Sequence, residues 1–188
     1  IGQSFGAALC HRRLSIIDLR TIAAEPMISQ ATGTTLVFNG EIYNFQELRT
    51  ELEAAGAQFI TNGDTEVILH GYDHWGVEVF ARLRGMFALV LVDPRNRRAV
   101  LARDGYGIKP LYWATFAGLD GRPAFAFASE GRALVEAGRS PLSHLRRWRR
   151  TREERESCSR CCACQAPIAF PGLPRHRAAG RRLGAALK

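Results

Sequence analysis

The amino-acid sequence predicts an α+β fold with mainly antiparallel sheets over residues 1–138. Two observations lead there: apolar runs of strand length are joined by short turns, and stretches with helical periodicity are grouped between them. Thr34–Phe38 is β-branched and aromatic and is followed by Asn39-Gly40, so it reads as a strand ended by a tight turn. Asn44 then stands where a helix cap belongs, with Glu47 three residues on. Phe45, Leu48, Leu52 and Ala55 share one helical face, and Gly56 ends the helix. A second helix is expected to start at Asp64 as cap with Glu66 in its first turn, where carboxylates suit the positive end of the helix dipole. Its buried face is Val67, Ile68, Gly71, Tyr72 and Trp75. After a short helix over Val77–Leu83, the run Met86–Val92, the turn Asp93-Pro94-Arg95-Asn96 and the run Ala99–Ala102 make a hairpin. Leu111–Phe116 and Ala124–Ala128 are two further strands around a Gly118–Gly121 connection, and Glu130–Ala137 closes as a helix.

The chain has 188 residues, 46% of them hydrophobic, enough for one ordinary packed domain and a small appendage. No apolar run approaches the roughly 20 residues that span a bilayer, and no signal peptide opens the sequence, so a soluble, cytoplasmic protein with reduced thiols is expected. The net charge of +8 would suggest an anionic partner if it were spread over the fold. It is not: residues 139–188 hold 13 basic against 3 acidic residues, whereas residues 1–138 hold 13 against 15. Cysteines divide in the same way, with Cys10 in the first part and Cys158, Cys161, Cys162 and Cys164 in the tail, a spacing that gives no disulfide framework. The natural division is therefore a domain over 1–138 and an Arg- and Cys-rich tail over 139–188.

Three stretches carry chemistry: His11-Arg12-Arg13-Leu14-Ser15-Ile16-Ile17-Asp18-Leu19, Phe38-Asn39-Gly40-Glu41-Ile42-Tyr43-Asn44, and Asp64-Thr65-Glu66-Val67. Leu83–Ala88 and Arg103–Tyr112 support them in the same order. Taken singly, Arg13 is as readily a solvated arginine, Asn39-Gly40 a turn and Asp64 a helix cap. Taken together they resemble the class II glutamine amidotransferases, specifically the glutamine-hydrolysing domain of the asparagine synthetases, from about residue 7 to residue 138. The resemblance implies an N-terminal-nucleophile fold, an αββα sandwich of two antiparallel sheets between helix layers, here incomplete. It also implies the site residues. Arg13 would grip the α-carboxylate of glutamine with a planar fork of donors, and Leu14, Ser15, Ile16 and Ile17 would line the pocket with backbone groups. Asn39 and Gly40 would donate to the oxyanion formed at the attacked amide, with Glu41 beside them, and Asp64 would receive the α-ammonium. Asp104 and Lys109 are expected to serve structure or domain contact rather than chemistry.

The departures from that family pattern are as informative. The family nucleophile is a cysteine at the mature N-terminus, whereas residue 1 is Ile and the family's opening residues are absent, so the chain as written is expected to be inactive. Cys10 stands where relatives carry a small strand residue and is expected to be a buried, inert thiol. Position 63 is Gly where many relatives have Ser, and Gly105-Tyr106 replaces a commoner Arg-Phe. Nothing beyond Gly138 resembles the synthetase domain, which in the family follows directly and uses ATP and Mg to amidate aspartate with the ammonia released; no metal or cofactor is expected in residues 1–138. The tail admits a four-thiolate zinc cluster, an arginine stretch around Trp148 that meets nucleic-acid phosphates, or a segment read out of frame that stays disordered; the last is favoured, and nucleic acid is not expected as a partner. Glutamine and the missing synthetase domain are the expected partners. The competing readings are a class II amidotransferase with a sugar phosphate or another carboxylate as acceptor, and a non-catalytic binding protein with a basic tail.

Overall fold

The computed structural model describes residues 7–11, 24–117, 123–137, 146–147, 168–171 and 186–187. In chain order the strands are β1 (Cys10–His11), β2 (Met27–Ile28), β3 (Thr35–Ile42), β4 (Gly85–Asp93), β5 (Arg98–Arg103), β6 (Tyr112–Ala117), β7 (Pro123–Ala128), β8 (Arg146–Arg147), β9 (Ile168–Pro171) and β10 (Ala186–Leu187). The helices are α1 (Phe45–Ala54), α2 (Asp64–Trp75), α3 (Val79–Arg82), preceded by a 3-10 turn over Gly76–Glu78, and α4 (Gly131–Glu136). One sheet has the order β2-β3-β4-β5-β9 and the other β1-β10-β7-β6-β8. All pairings among the described residues are antiparallel except the two that β10 makes, with β1 and β7.

Side chains on a strand alternate between the two faces of its sheet, and here both faces of both sheets are apolar. Leu36, Phe38 and Ile42 of β3, Phe87, Leu89 and Leu91 of β4, and Val100 and Ala102 of β5 pack with Leu48 and Leu52 of α1 and Val67, Ile68 and Tyr72 of α2. The intervening residues Val37, Ala88, Val90 and Leu101 point the other way and meet Phe125 and Phe127 of the second sheet and Leu111, which leads into it. That sheet's outer face, Ala114, Ala126 and Ala128, packs on Leu134 of α4. The layers are therefore helix, sheet, sheet, helix, the α+β sandwich that the resemblance implies. Phe80, Phe87, Leu36 and Ile42 are fully buried, each contributing about 1.5–3 kcal/mol by removal from water.

Local signals set most element boundaries, and three of them act differently from expectation. The predicted turn at Asn39-Gly40 does not form: β3 runs through it to Ile42, pairing Asn39 with Ala88 and Gly40 with Phe87. Glycine is needed at 40 for close approach instead, since a Cβ there would lie 2.0 Å from the Met86 carbonyl oxygen and 2.7 Å from the Phe87 Cα, and its φ of +153° disfavours other residues. Asn44 makes no side-chain cap. Its amide instead accepts from the Arg84 N–H at 2.9 Å and donates to the Arg82 carbonyl at 3.0 Å, tying the start of α1 to the entry of β4. Asp64 is the first residue of α2 rather than its cap, because extended backbone at Gly63 places the helix start one residue earlier than the side chain suggests. Gly56 stops α1 as expected, with Ala57 N–H donating to the Leu52 carbonyl and Gly56 N–H to the Glu53 carbonyl, the paired bonds of a Schellman end.

Candidate functional site

The site builds from the edge of β3 that faces away from β4. β2 covers that edge only at Thr35 and Leu36. Beyond it, the outward N–H groups need other acceptors, since an unpaired buried N–H is costly. Two carboxylates supply them. Glu25 Oε2 accepts from Phe38 N at 2.7 Å, and Asp64 Oδ2 accepts from Ile42 N at 2.9 Å. Because N–H direction alternates along a strand, the N–H of Gly40 points to the same edge, midway between the two carboxylates. Asn39 is half-buried and Glu41 exposed beside it.

Asp64 is 5% exposed, and burial pushes its carboxyl above the ordinary value; hydrogen bonds from Ile42 and the helix start offset this in part, and the neighbouring Glu25 charge adds to the rise. The loop that delivers Asp64 is clamped from behind. Glu66 accepts from Ile60 N, Thr61 N and Thr61 Oγ1, the last two at 2.6 Å, while Arg49 donates to the Thr61 carbonyl. Burial opposes ionisation of Glu66, but the Thr61 hydroxyl and the two backbone donors outweigh it and hold its carboxyl below the ordinary range.

Glu25 has no counterpart in the sequence-level site. Its side chain is 2% exposed; Oε1 accepts from Thr65 Oγ1 at 3.0 Å, and His11 Nδ1 lies 2.6 Å from Oε2 in an alignment too bent for a hydrogen bond. A single charge beside Pro26, outside any periodic run, offers no signal that would have singled it out.

The structure thus brings Asn39, Gly40, Glu41 and Asp64 to one edge. Arg13, Leu14, Ser15, Ile16 and Ile17 lie outside the described residues, as do the tail cysteines and Trp148. Asp104 has a structural role: it is buried, and its carboxylate accepts from Phe87 N, Tyr106 N, Ile108 N and Lys109 N at 2.9–3.2 Å, while Arg103 donates to the Gly107 and Lys109 carbonyls. Cys10 is exposed on β1, correcting the expected buried thiol; its two-residue strand lies at the margin of its sheet rather than in a core. An apolar cavity lined by Leu9, Pro26, Ile28, Thr35, Val92 and Pro94 opens at the start of β3, the end away from Asn39-Gly40, and includes none of the expected site residues. No group of three or more His, Cys, Asp or Glu among the described residues is placed to hold a metal, and none of the described helices is long and apolar enough to cross a membrane.

Comparison with known proteins bears on this geometry. A family model described as a glutamine amidotransferase domain matches residues 2–146. The chain is 48% identical over 140 residues to a protein of Mycobacterium bovis named putative asparagine synthetase (glutamine-hydrolyzing), an alignment covering 72% of this chain and 21% of that protein. It is 44% identical over 126 residues to asparagine synthetase (glutamine-hydrolyzing) 1 of Bacillus subtilis, covering 67% of this chain and 19% of the relative. The chain therefore spans about a fifth of the length of these curated relatives. A solved structure described as the allosteric regulatory enzyme of purine biosynthesis superimposes with a TM-score of 0.53 at 22% identity, covering 68% of this chain and 31% of that one, a likeness of fold.

Proposed function

The chain belongs to the glutamine amidotransferase domain family, and on that premise we propose that residues 1–138 are the glutamine-binding part of a glutamine-hydrolysing asparagine synthetase. In the parent enzyme, ammonia released from glutamine amidates aspartate in a synthetase domain that uses ATP and Mg. The names of the relatives favour aspartate as acceptor over a sugar phosphate. The observation that carries the reading is the edge of β3 away from β4, where the N–H of Gly40 points to the same side as those of Phe38 and Ile42 and the buried Asp64 carboxylate accepts from Ile42 N at 2.9 Å.

In this reading each group meets one end of the substrate. Arg13 holds the α-carboxylate and the backbone of Leu14 to Ile17 lines the pocket, while Asp64 takes the α-ammonium, whose charge relieves the cost of burying an ionised carboxylate. Asn39 and Gly40 donate to the oxygen that gains charge as the side-chain amide is attacked, each donor contributing roughly 3–4 kcal/mol to that step in a dry site. The attacking group in the family is an N-terminal cysteine thiol with its own amine as base.

An isotope-labelled sample titrated with L-glutamine tests the proposal. Chemical-shift changes at Gly40, Ile42 and Asp64 that saturate are the expected result. Perturbations confined to other surfaces, or none at millimolar ligand, would sink it.

A further inference from the structure

Among the described residues, Glu25 is a buried charge at this edge to which the glutamine reading assigns no work, and its contacts join three elements. It accepts from the N–H of Phe38, the residue before Asn39, and from the hydroxyl of Thr65, the residue after Asp64. Its third neighbour, His11, ends β1 two residues before Arg13. A buried carboxylate is expensive unless its oxygens are well used, and here both oxygens are spent on the neighbours of the substrate-facing residues.

We propose that Glu25 is a positioning residue that fixes β3 to the start of α2, so that the Gly40 N–H and the Asp64 carboxylate keep the separation between the amide and the α-ammonium of L-glutamine. This rests on the glutamine reading above. Glu25 touches no substrate atom; it acts through Phe38 and Thr65. Without it, Phe38 N–H loses this acceptor and the link from β3 through Glu25 to Thr65 is cut, while the bond from Ile42 N to Asp64 and the apolar packing of β3 on α2 remain.

The test uses the full chain as wild type, Glu25→Ala and Glu25→Gln. Amide hydrogen exchange of Phe38 is measured together with the Kd for L-glutamine and for glutaramate, which keeps the side-chain amide but lacks the α-ammonium. Glu25→Ala is expected to speed Phe38 exchange about tenfold and to weaken L-glutamine by about tenfold, the scale of one lost charged hydrogen bond, with less than about a threefold effect on glutaramate. Glu25→Gln should restore most of both, because its amide oxygen still accepts from Phe38 while its NH2 donates to the Thr65 hydroxyl. Unchanged Phe38 exchange in Glu25→Ala overturns the proposal, as does an equal loss for the two ligands, which marks general loosening. If the wild-type chain binds neither ligand, the glutamine reading fails and the ligand part of the proposal with it. The exchange arm then decides the link between β3 and α2 alone.

Discussion

Asp64 and Asp93 are both buried aspartates at the end of a structural element, and their surroundings push them in opposite directions. Asp93 closes the β4–β5 hairpin. Its oxygens accept from Asn96 N at 3.1 Å, Asn96 Nδ2 at 2.7 Å and the Tyr72 hydroxyl at 2.9 Å, with Arg98 Nε 3.6 Å away. Burial works against its ionisation, but the Asn96 and Tyr72 donors prevail and lower its carboxyl; the same contact, after burial, lifts the Tyr72 hydroxyl to about 12. At Asp64 burial prevails over the backbone donors and the carboxyl is raised. The contrast separates a carboxylate whose donors outweigh its burial from one whose described donors do not. On the glutamine reading, the second is the one that a cationic ligand group would relieve.

Substitutions can break that contrast. The largest effect is expected from Asp64→Asn, which should weaken L-glutamine at least about 100-fold, or ~2.7 kcal/mol, in an NMR or calorimetric titration. Its thermal midpoint at pH 7 should not fall, since the amide oxygen still accepts from Ile42 N and no charge remains to be desolvated. A lower midpoint with intact binding would invert the two roles. Asp93→Asn should cost about 2 kcal/mol in denaturant unfolding while leaving glutamine affinity within about twofold.

Acidity sharpens the comparison further. Asp93 and Glu66 are lowered in the fold from ordinary values of 3.8 and 4.5. The stability they contribute is complete above those values and is lost as pH falls through their lower folded values. Asp64 has the opposite sign: its contribution is complete below 3.8 and is lost as pH rises through its raised folded value. Scanning calorimetry from pH 3 to 7 should therefore show the deficit of Asp93→Asn growing with pH, and Asp64→Asn gaining on wild type. Parallel curves would refute the assignment. The smallest effect belongs to Arg132→Ala, which removes an exposed pair with Glu136 on α4 and should change unfolding free energy by about 0.5 kcal/mol or less.

The core was largely legible from the sequence, because the continuous apolar runs Met86–Val92 and Ala99–Ala102 mark strands buried on both faces. The faces of α1 and α2 follow for the same reason, with Leu48, Leu52, Val67, Ile68 and Tyr72 buried as their spacing implies. Ala55, placed on the same face by periodicity, is exposed because α1 ends before it reaches the core. Polar roles were less legible. The Asn39-Gly40 pair has a turn-like composition, but glycine is required there by the backbone of β4, a partner 46 residues away that no local rule sees. Asn44 and Asp64 resemble caps, yet their side chains bond across the fold to Arg82, Arg84 and Ile42. Glu25 was invisible for the same reason: each of its contacts is at least 13 residues distant in sequence.

β4 deserves a last consequence. As the wall shared by two apolar chambers, it sends Phe87, Leu89 and Leu91 into one and Ala88 and Val90 into the other. Inserting a single residue there would exchange the tenants of both rooms together, forcing the Phe87 ring and the leucine side chains into space shaped for Ala88 and Val90 and leaving voids where they had been. Mutational drift along this strand is therefore confined to swaps of similar bulk, while changes of length must be absorbed at the Asp93–Asn96 bend.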